Sequence, residues 1–155
     1  MSRAVARFEE AARRRGLELE IRRFPEGTKT AQDAALAVGC EVGQIVKSLV
    51  FMADGRPVLA LTSGANRADP ARLGAFLGAA EVRRATADEA RAATGFSIGG
   101  TPPLGNTGLR SVIVDETLME HDELWAAAGT PDAVCRLTPA ELVRLSGGTV
   151  AAFAE

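Results

Sequence analysis

Ile45-Val46-Lys47-Ser48-Leu49-Val50-Phe51 is the stretch from which the fold follows. Both alternating sets of positions carry apolar side chains. A strand apolar on both faces belongs in the middle of a sheet covered on both sides. Ala53-Asp54-Gly55 then reads as a tight turn, and residues 57–61 pair back as the second strand of a hairpin, with Pro57 tolerated at its start. Lys47 is the exception. Alternation puts it on the face of Ile45, Leu49 and Phe51. It is an edge gatekeeper, a side chain snorkelling to water, or the cation of a pocket. A buried lysine is costly unless it meets an anion or dipole, which is why such lysines gather at functional sites.

On the N-terminal side, Ser2 caps a helix that presents Val5, Phe8 and Ala12 on one face and stops at Gly16. Arg13, Arg14 and Arg15 in its last turn either complement the helix dipole or contact phosphates. Leu17, Leu19 and Ile21 alternate with Glu18, Glu20 and Arg22 as a half-buried strand, broken by Phe24 to Gly27. Thr30 with Asp33 opens a helix over 30–38, stopped by Gly39, and a turn over 41–44 leads into the central strand.

On the C-terminal side, Asp69 and Pro70 open a helix through Leu77. A short strand is expected over 81–85. Thr86 and Glu89 form a capping box for a helix through Thr94. Strands follow over 109–115, 123–128 and 134–137, then a helix from Thr138 through Leu145 and a strand over 149–153. Strands and helices mix without strict βαβ alternation, so residues 1–155 form one mixed α/β domain.

Composition narrows the function. Apolar residues make up 46% and charged residues 25%, the balance of an ordinary soluble domain. A net charge of -2 argues against duplex DNA as a partner. No apolar run approaches a membrane span and the N-terminal helix is charged, so no membrane partner is expected and the cytoplasm is the expected location. Cys40 and Cys135 are isolated thiols, and His121 is the single histidine, so no metal site or cofactor is expected. Of 18 basic residues only Lys29 and Lys47 are lysine, which nudges Lys47 toward chemistry that needs a compact point charge.

Phe96 to Asn106 is the one loop that looks built for a task. Gly99 and Gly100 allow unusual backbone angles and close approach, and Pro102 and Pro103 stiffen the exit. Such a loop offers a concave surface of N–H groups for an anion or a carbonyl oxygen. Gly95-Phe96-Ser97-Ile98-Gly99 matches G-x-S-x-G, and Asp115 and His121 follow in order. A nucleophile elbow, however, needs a strand before the serine and a helix after it; here a helix precedes and Gly-Pro chain follows. A phosphate loop fails too, because no Gly-Lys-Ser/Thr appears.

Thr30-Ala31-Gln32-Asp33-Ala34-Ala35, the strand 45–51 and the loop from Gly95 through Gly105, in this order, resemble the YbaK/ProX family of aminoacyl-tRNA editing domains. The resemblance covers residues 30–150. It implies a compact mixed sheet, partly barrel-like, packed with helices, and hydrolysis of the ester of mischarged tRNA, often tRNA for proline. It implies Lys47 as the catalytic position. Thr30, Ser48, Ser97, Gly99, Gly100, Pro102 and Gly105 are implied as substrate-binding positions. The lysine would orient the substrate while loop main-chain groups hold the carbonyl or the attacking water. The implied partner is the 3′ end of a mischarged tRNA. Weak intrinsic tRNA affinity, expected from the charge of -2, adds prolyl-tRNA synthetase as a helper. Alanine-specific members tend to carry Lys-Asn on the strand and a histidine near the site. Lys47-Ser48 and a loop without histidine lean away from them, toward the cysteine type or another branch. A second, hydrolytic sieve is needed because a pocket separates substrates differing by a methylene by only about 1–3 kcal/mol. The expected function is trans-editing deacylation of tRNA carrying Cys, Ala or a similar small amino acid. The alternatives are a non-catalytic ligand- or tRNA-binding module on the same fold, and an interaction domain in which Lys47 is a gatekeeper.

Overall fold

A computed structural model describes residues 2–24, 30–105 and 108–155. In chain order the elements are α1 (Arg3–Arg14), β1 (Glu20–Arg23), α2 (Ala31–Val38), β2 (Ile45–Ala53), β3 (Arg56–Ser63), α3 (Pro70–Leu77), β4 (Val82–Arg84), α4 (Ala87–Thr94), β5 (Ser111–Asp115), β6 (Leu124–Ala127), β7 (Ala133–Leu137), α5 (Pro139–Ser146) and β8 (Thr149–Ala151). Two 3-10 turns, Val42–Gln44 and Glu116–Glu120, join them. The break expected at Phe24 to Gly27 lies mostly, and Lys29 and Asn106 lie wholly, outside the described residues.

The helices start where the short polar side chains stand. Ser2 Oγ accepts from the Val5 N–H at 3.1 Å, Thr30 Oγ1 from the Asp33 N–H at 3.0 Å, and Asp69 Oδ1 from the Ala71 N–H at 2.9 Å. Thr86 with Glu89 and Thr138 with Glu141 form reciprocal capping boxes.

The strands form one mixed sheet in the order β1-β7-β6-β2-β3-β5-β8, with β4 added to β2 off this path. The hairpin read from sequence is present: β2 pairs antiparallel with β3 from Val46↔Ser63 to Ala53↔Arg56. β2 also pairs parallel with β6, and β3 parallel with β5, so the hairpin is the middle of the sheet. Both of its faces are covered. Val46, Val50, Leu59 and Leu61 pack with Phe8 of α1, Ala90 of α4 and Leu142 and Leu145 of α5. On the opposite face Phe51, Val58 and Ala60 pack with Leu73 of α3 and Phe153, and Ile45 packs with Trp125 and with Ala34 and Ala35 of α2.

The strand expected from Leu17 begins only at Glu20. The chain leaves α1 through Gly16, the Leu17 N–H returns to the Ala12 carbonyl at 3.0 Å, and Leu17 is buried beneath the helix end. Alternation alone cannot separate such a cap from a strand. The short helical turn Glu116–Glu120 was not expected; Asp115 caps it, accepting from the Thr117 N–H at 3.0 Å.

Candidate active site

β2 is paired along one edge only in part. Its register with β6 covers Ile45 and Val46, and its register with β4 covers Phe51 to Ala53. Residues 47–49 face a gap between the two neighbours. Val50 O accepts from the Ala85 N–H on this edge at 3.0 Å, so with period 2 Ser48 turns its N–H and C=O to the same edge. No strand among the described residues pairs with Ser48 there. A cavity of about 310 Å³ fills the gap. α2 contributes Thr30, Ala31 and Ala34, β6 contributes Trp125 and Ala126, and the glycine loop contributes Ile98, Gly99 and Thr101. The walls are chiefly small and apolar, with few polar groups.

Lys47 and Ser48 meet at this cavity from opposite faces of β2. Lys47 is half-buried, and its Nζ donates to the Asn66 carbonyl at 2.5 Å. Burial pushes its pKa below the ordinary lysine range; the nearby Arg84 and then Arg67 add to this, while Asp115 opposes it. Arg84 also lines the cavity, with its guanidinium 5.5 Å from the centre of the Phe51 ring. Two cations therefore flank one opening. Ser48 Oγ is buried without a hydrogen-bond partner among the described residues, which costs free energy unless a ligand fills the need. Lys47 stands on the stretch of β2 left unpaired along one edge, with its ammonium tied to the Asn66 carbonyl.

The glycine loop is built differently from its expected form. The Gly100 N–H donates to the Ser97 carbonyl at 3.0 Å, so it closes a turn and is not a free donor. The Gly100 carbonyl accepts from the Gly129 N–H at 2.9 Å. A Cβ on Gly100 would stand 2.7 Å from Thr130 Cα, so the missing side chain serves packing against the 129–130 backbone. Gly99 takes the left-handed conformation, with φ +87°, at the cavity wall. Ser97 is exposed in the turn after α4, and Pro102 is buried; neither lines the cavity. Gly105 stands apart from it as well. Its Cβ would overlap the Ser146 carbonyl oxygen at 2.2 Å, so the end of α5 dictates glycine there. Of the expected positions, Lys47, Ser48, Thr30 and Gly99 line the cavity, and Ser97, Gly100, Pro102 and Gly105 lie outside its lining.

The arginine run is divided between tasks. Arg13 and Arg14 pair with Glu10. Arg15 donates to the Gly105 carbonyl at 3.1 Å, and Arg7 to the Gly95 carbonyl at 2.8 Å, so α1 and its C-terminal cap pin both ends of the loop. Arg84, Thr101 and Trp125 were not singled out from the sequence; Trp125 is the single tryptophan, the one signal that was available.

Residues 25–145 match the family model of the aminoacyl-tRNA editing domain, and the chain belongs to that family. A solved structure of a proposed trans-editing enzyme for prolyl tRNA synthetase superposes with a TM-score of 0.92 at 46% identity, over 100% of this chain and 99% of that one. The proline–tRNA ligase of Nitratidesulfovibrio vulgaris (strain DP4) is 34% identical over 99 residues, 64% of this chain. The chain spans only 17% of that ligase. The uncharacterized protein YwhH of Bacillus subtilis (strain 168) is 28% identical over 83% of this chain and 82% of its own length.

Proposed function

We propose that the chain hydrolyses the ester bond of mischarged tRNA, acting in trans on tRNA for proline that carries a small amino acid. The observation that carries this reading is the interrupted edge of β2, where a small apolar cavity meets a lysine, main chain that no described strand pairs and a serine hydroxyl without a partner among the described residues. An aminoacyl group of modest size fits walls built from Ala34, Ala90, Ala126 and Trp125. Water adds to the ester carbonyl carbon, and the oxyanion forms within reach of the Ser48 N–H and the Lys47 ammonium. The bond to the ribose oxygen then breaks, and that oxygen takes the proton released by the water. The products are a free amino acid and a tRNA with a free terminal hydroxyl. One main-chain donor to such an oxyanion contributes about a hundredfold to a thousandfold. Lys47 keeps further donors beyond the one held by Asn66, and Arg84, on the same cavity, would serve the phosphate of the terminal nucleotide. Likeness to the proposed trans-editing enzyme along nearly its whole chain supports action in trans, and a net charge of -2 supports help from prolyl-tRNA synthetase in holding the tRNA.

The test is deacylation of tRNA for proline carrying Cys, Ala or Ser, with correctly charged Pro-tRNA as control, for wild type and Lys47→Ala. Hydrolysis of one mischarged species, lost in the variant and absent on the control, is expected. No turnover on any species, alone or with prolyl-tRNA synthetase added, refutes the reading and leaves the non-catalytic binding module.

A further inference from the structure

Asp115 is a carboxylate only 1% exposed, and no ion pair compensates it among the described residues. A buried charge of this kind persists where hydrogen bonds and a nearby opposite charge offset its desolvation. The hydrogen bonds are present. Oδ2 accepts from the Ser63 N–H at 3.0 Å and from Asn66 Nδ2 at 2.9 Å, and Oδ1 accepts from the Thr117 N–H at 3.0 Å. Asn66 Nδ2 also donates to Thr117 Oγ1 at 2.9 Å, so its side chain is held at two points. The main-chain carbonyl of the same Asn66 accepts from Lys47 Nζ. Capping the turn Glu116–Glu120 would need only a serine or asparagine at 115. The capping role alone therefore leaves the acid unexplained.

We propose that Asp115 is a positioning residue for Lys47, acting through Asn66. The carboxylate fixes the Asn66 side chain, Asn66 fixes its own carbonyl, and the carbonyl fixes where the ammonium stands at the cavity. The charge has a second effect. The groups that face Lys47 are Arg84 from β4, Arg67 from the segment after β3, and Asp115 from the end of β5. Two of the three are cations that disfavour the ammonium, and Asp115 opposes them. The consequence for catalysis rests on the editing reading above; the link between Asp115 and Lys47 does not.

The chain has two lysines, so [13C]lysine labelling gives two Cε signals, and Lys47→Arg assigns them. In Asp115→Asn, which keeps an N-cap, the Lys47 signal is expected to titrate at lower pH than in wild type. In Asn66→Ala, and more mildly in Thr117→Ala, the Lys47 signal is expected to shift toward that of a mobile side chain. For deacylation, kcat is expected to fall about a hundredfold in Asp115→Asn with KM little changed, as for a misplaced catalytic group. A Lys47 signal that titrates as in wild type in both Asp115→Asn and Asn66→Ala overturns the proposal. So does a loss of activity matched by loss of folded protein in every variant. If wild type deacylates nothing and the Lys47 titration still moves in Asp115→Asn, the link stands and the editing reading falls.

Discussion

Gly100→Ala separates two accounts of the glycine loop. If Gly100 faces the substrate, a methyl group there blocks binding and leaves the fold intact. The structure argues otherwise. The added Cβ would lie 2.7 Å from Thr130 Cα, 2.9 Å from the Gly129 carbonyl oxygen and 3.0 Å from the Thr130 carbonyl carbon. All three are main-chain atoms, so no side chain can swing aside, and the 129–130 turn must move bodily. That turn also receives the loop, through the Gly129 N–H to the Gly100 carbonyl at 2.9 Å, so the same shift strains this bond. Overpacking of this kind costs about 1–3 kcal/mol. At about 2–4 °C per kcal/mol for a domain of this size, the midpoint of thermal unfolding falls by about 2–12 °C. Pro131 lines the cavity next to the displaced turn, so deacylation is expected to fall together with stability. The assay is thermal and urea unfolding beside deacylation of the preferred mischarged tRNA. An unchanged unfolding midpoint with deacylation abolished would refute the packing argument and return Gly100 to the substrate face.

Ser48→Ala removes a buried hydroxyl that has no partner among the described residues, and is expected to leave the free protein as stable or up to about 1 kcal/mol more stable while raising KM; a clear loss of stability in urea would mean the hydroxyl is already satisfied. The Lys47 pKa is depressed, first by burial, so the native state loses this proton at lower pH than the unfolded chain. Unfolding free energy of wild type relative to Lys47→Met should therefore rise as pH climbs through the native pKa toward 10.5, while blank-corrected deacylation falls over the same interval. Flat difference curves would contradict both. Cys135 is fully buried with its thiol pushed up to about 12, chiefly by burial, and Cys40 is half-buried and pushed up by burial and then by Glu123 and Glu41. A disulfide reagent is expected to label Cys40 slowly in the native protein and Cys135 only after unfolding; equal native rates would count against this core.

Much of the architecture was legible because it is local. Ser2, Thr30, Asp69, Thr86 and Thr138 each cap the helix expected of them, since a capping side chain reaches N–H groups only two or three residues away. The hairpin of β2 and β3 was legible for the same reason, a two-faced apolar strand followed by a short turn. The face of Lys47 followed from period 2 alone. The family resemblance carried further and brought in Ser48 and Thr30, which line the cavity, together with Gly105, which does not.

The sequence by itself thus determined most of the helices and strands, which strand is central, and that one lysine stands among its apolar neighbours. The tertiary structure alone decided what surrounds this lysine: a cavity wall and the Asn66 carbonyl. β6 and β4 approach the same edge of β2 from elsewhere in the chain and leave residues 47–49 open between them. Asn66 and Asp115 meet across 49 positions, and Gly100 and Gly105 are glycine because of backbone at 129–130 and at Ser146. Periodicity and capping act within a few residues, whereas a gap in a sheet, a buried carboxylate's partners and a backbone's closest neighbour are properties of contacts between distant segments, and no local pattern encodes them.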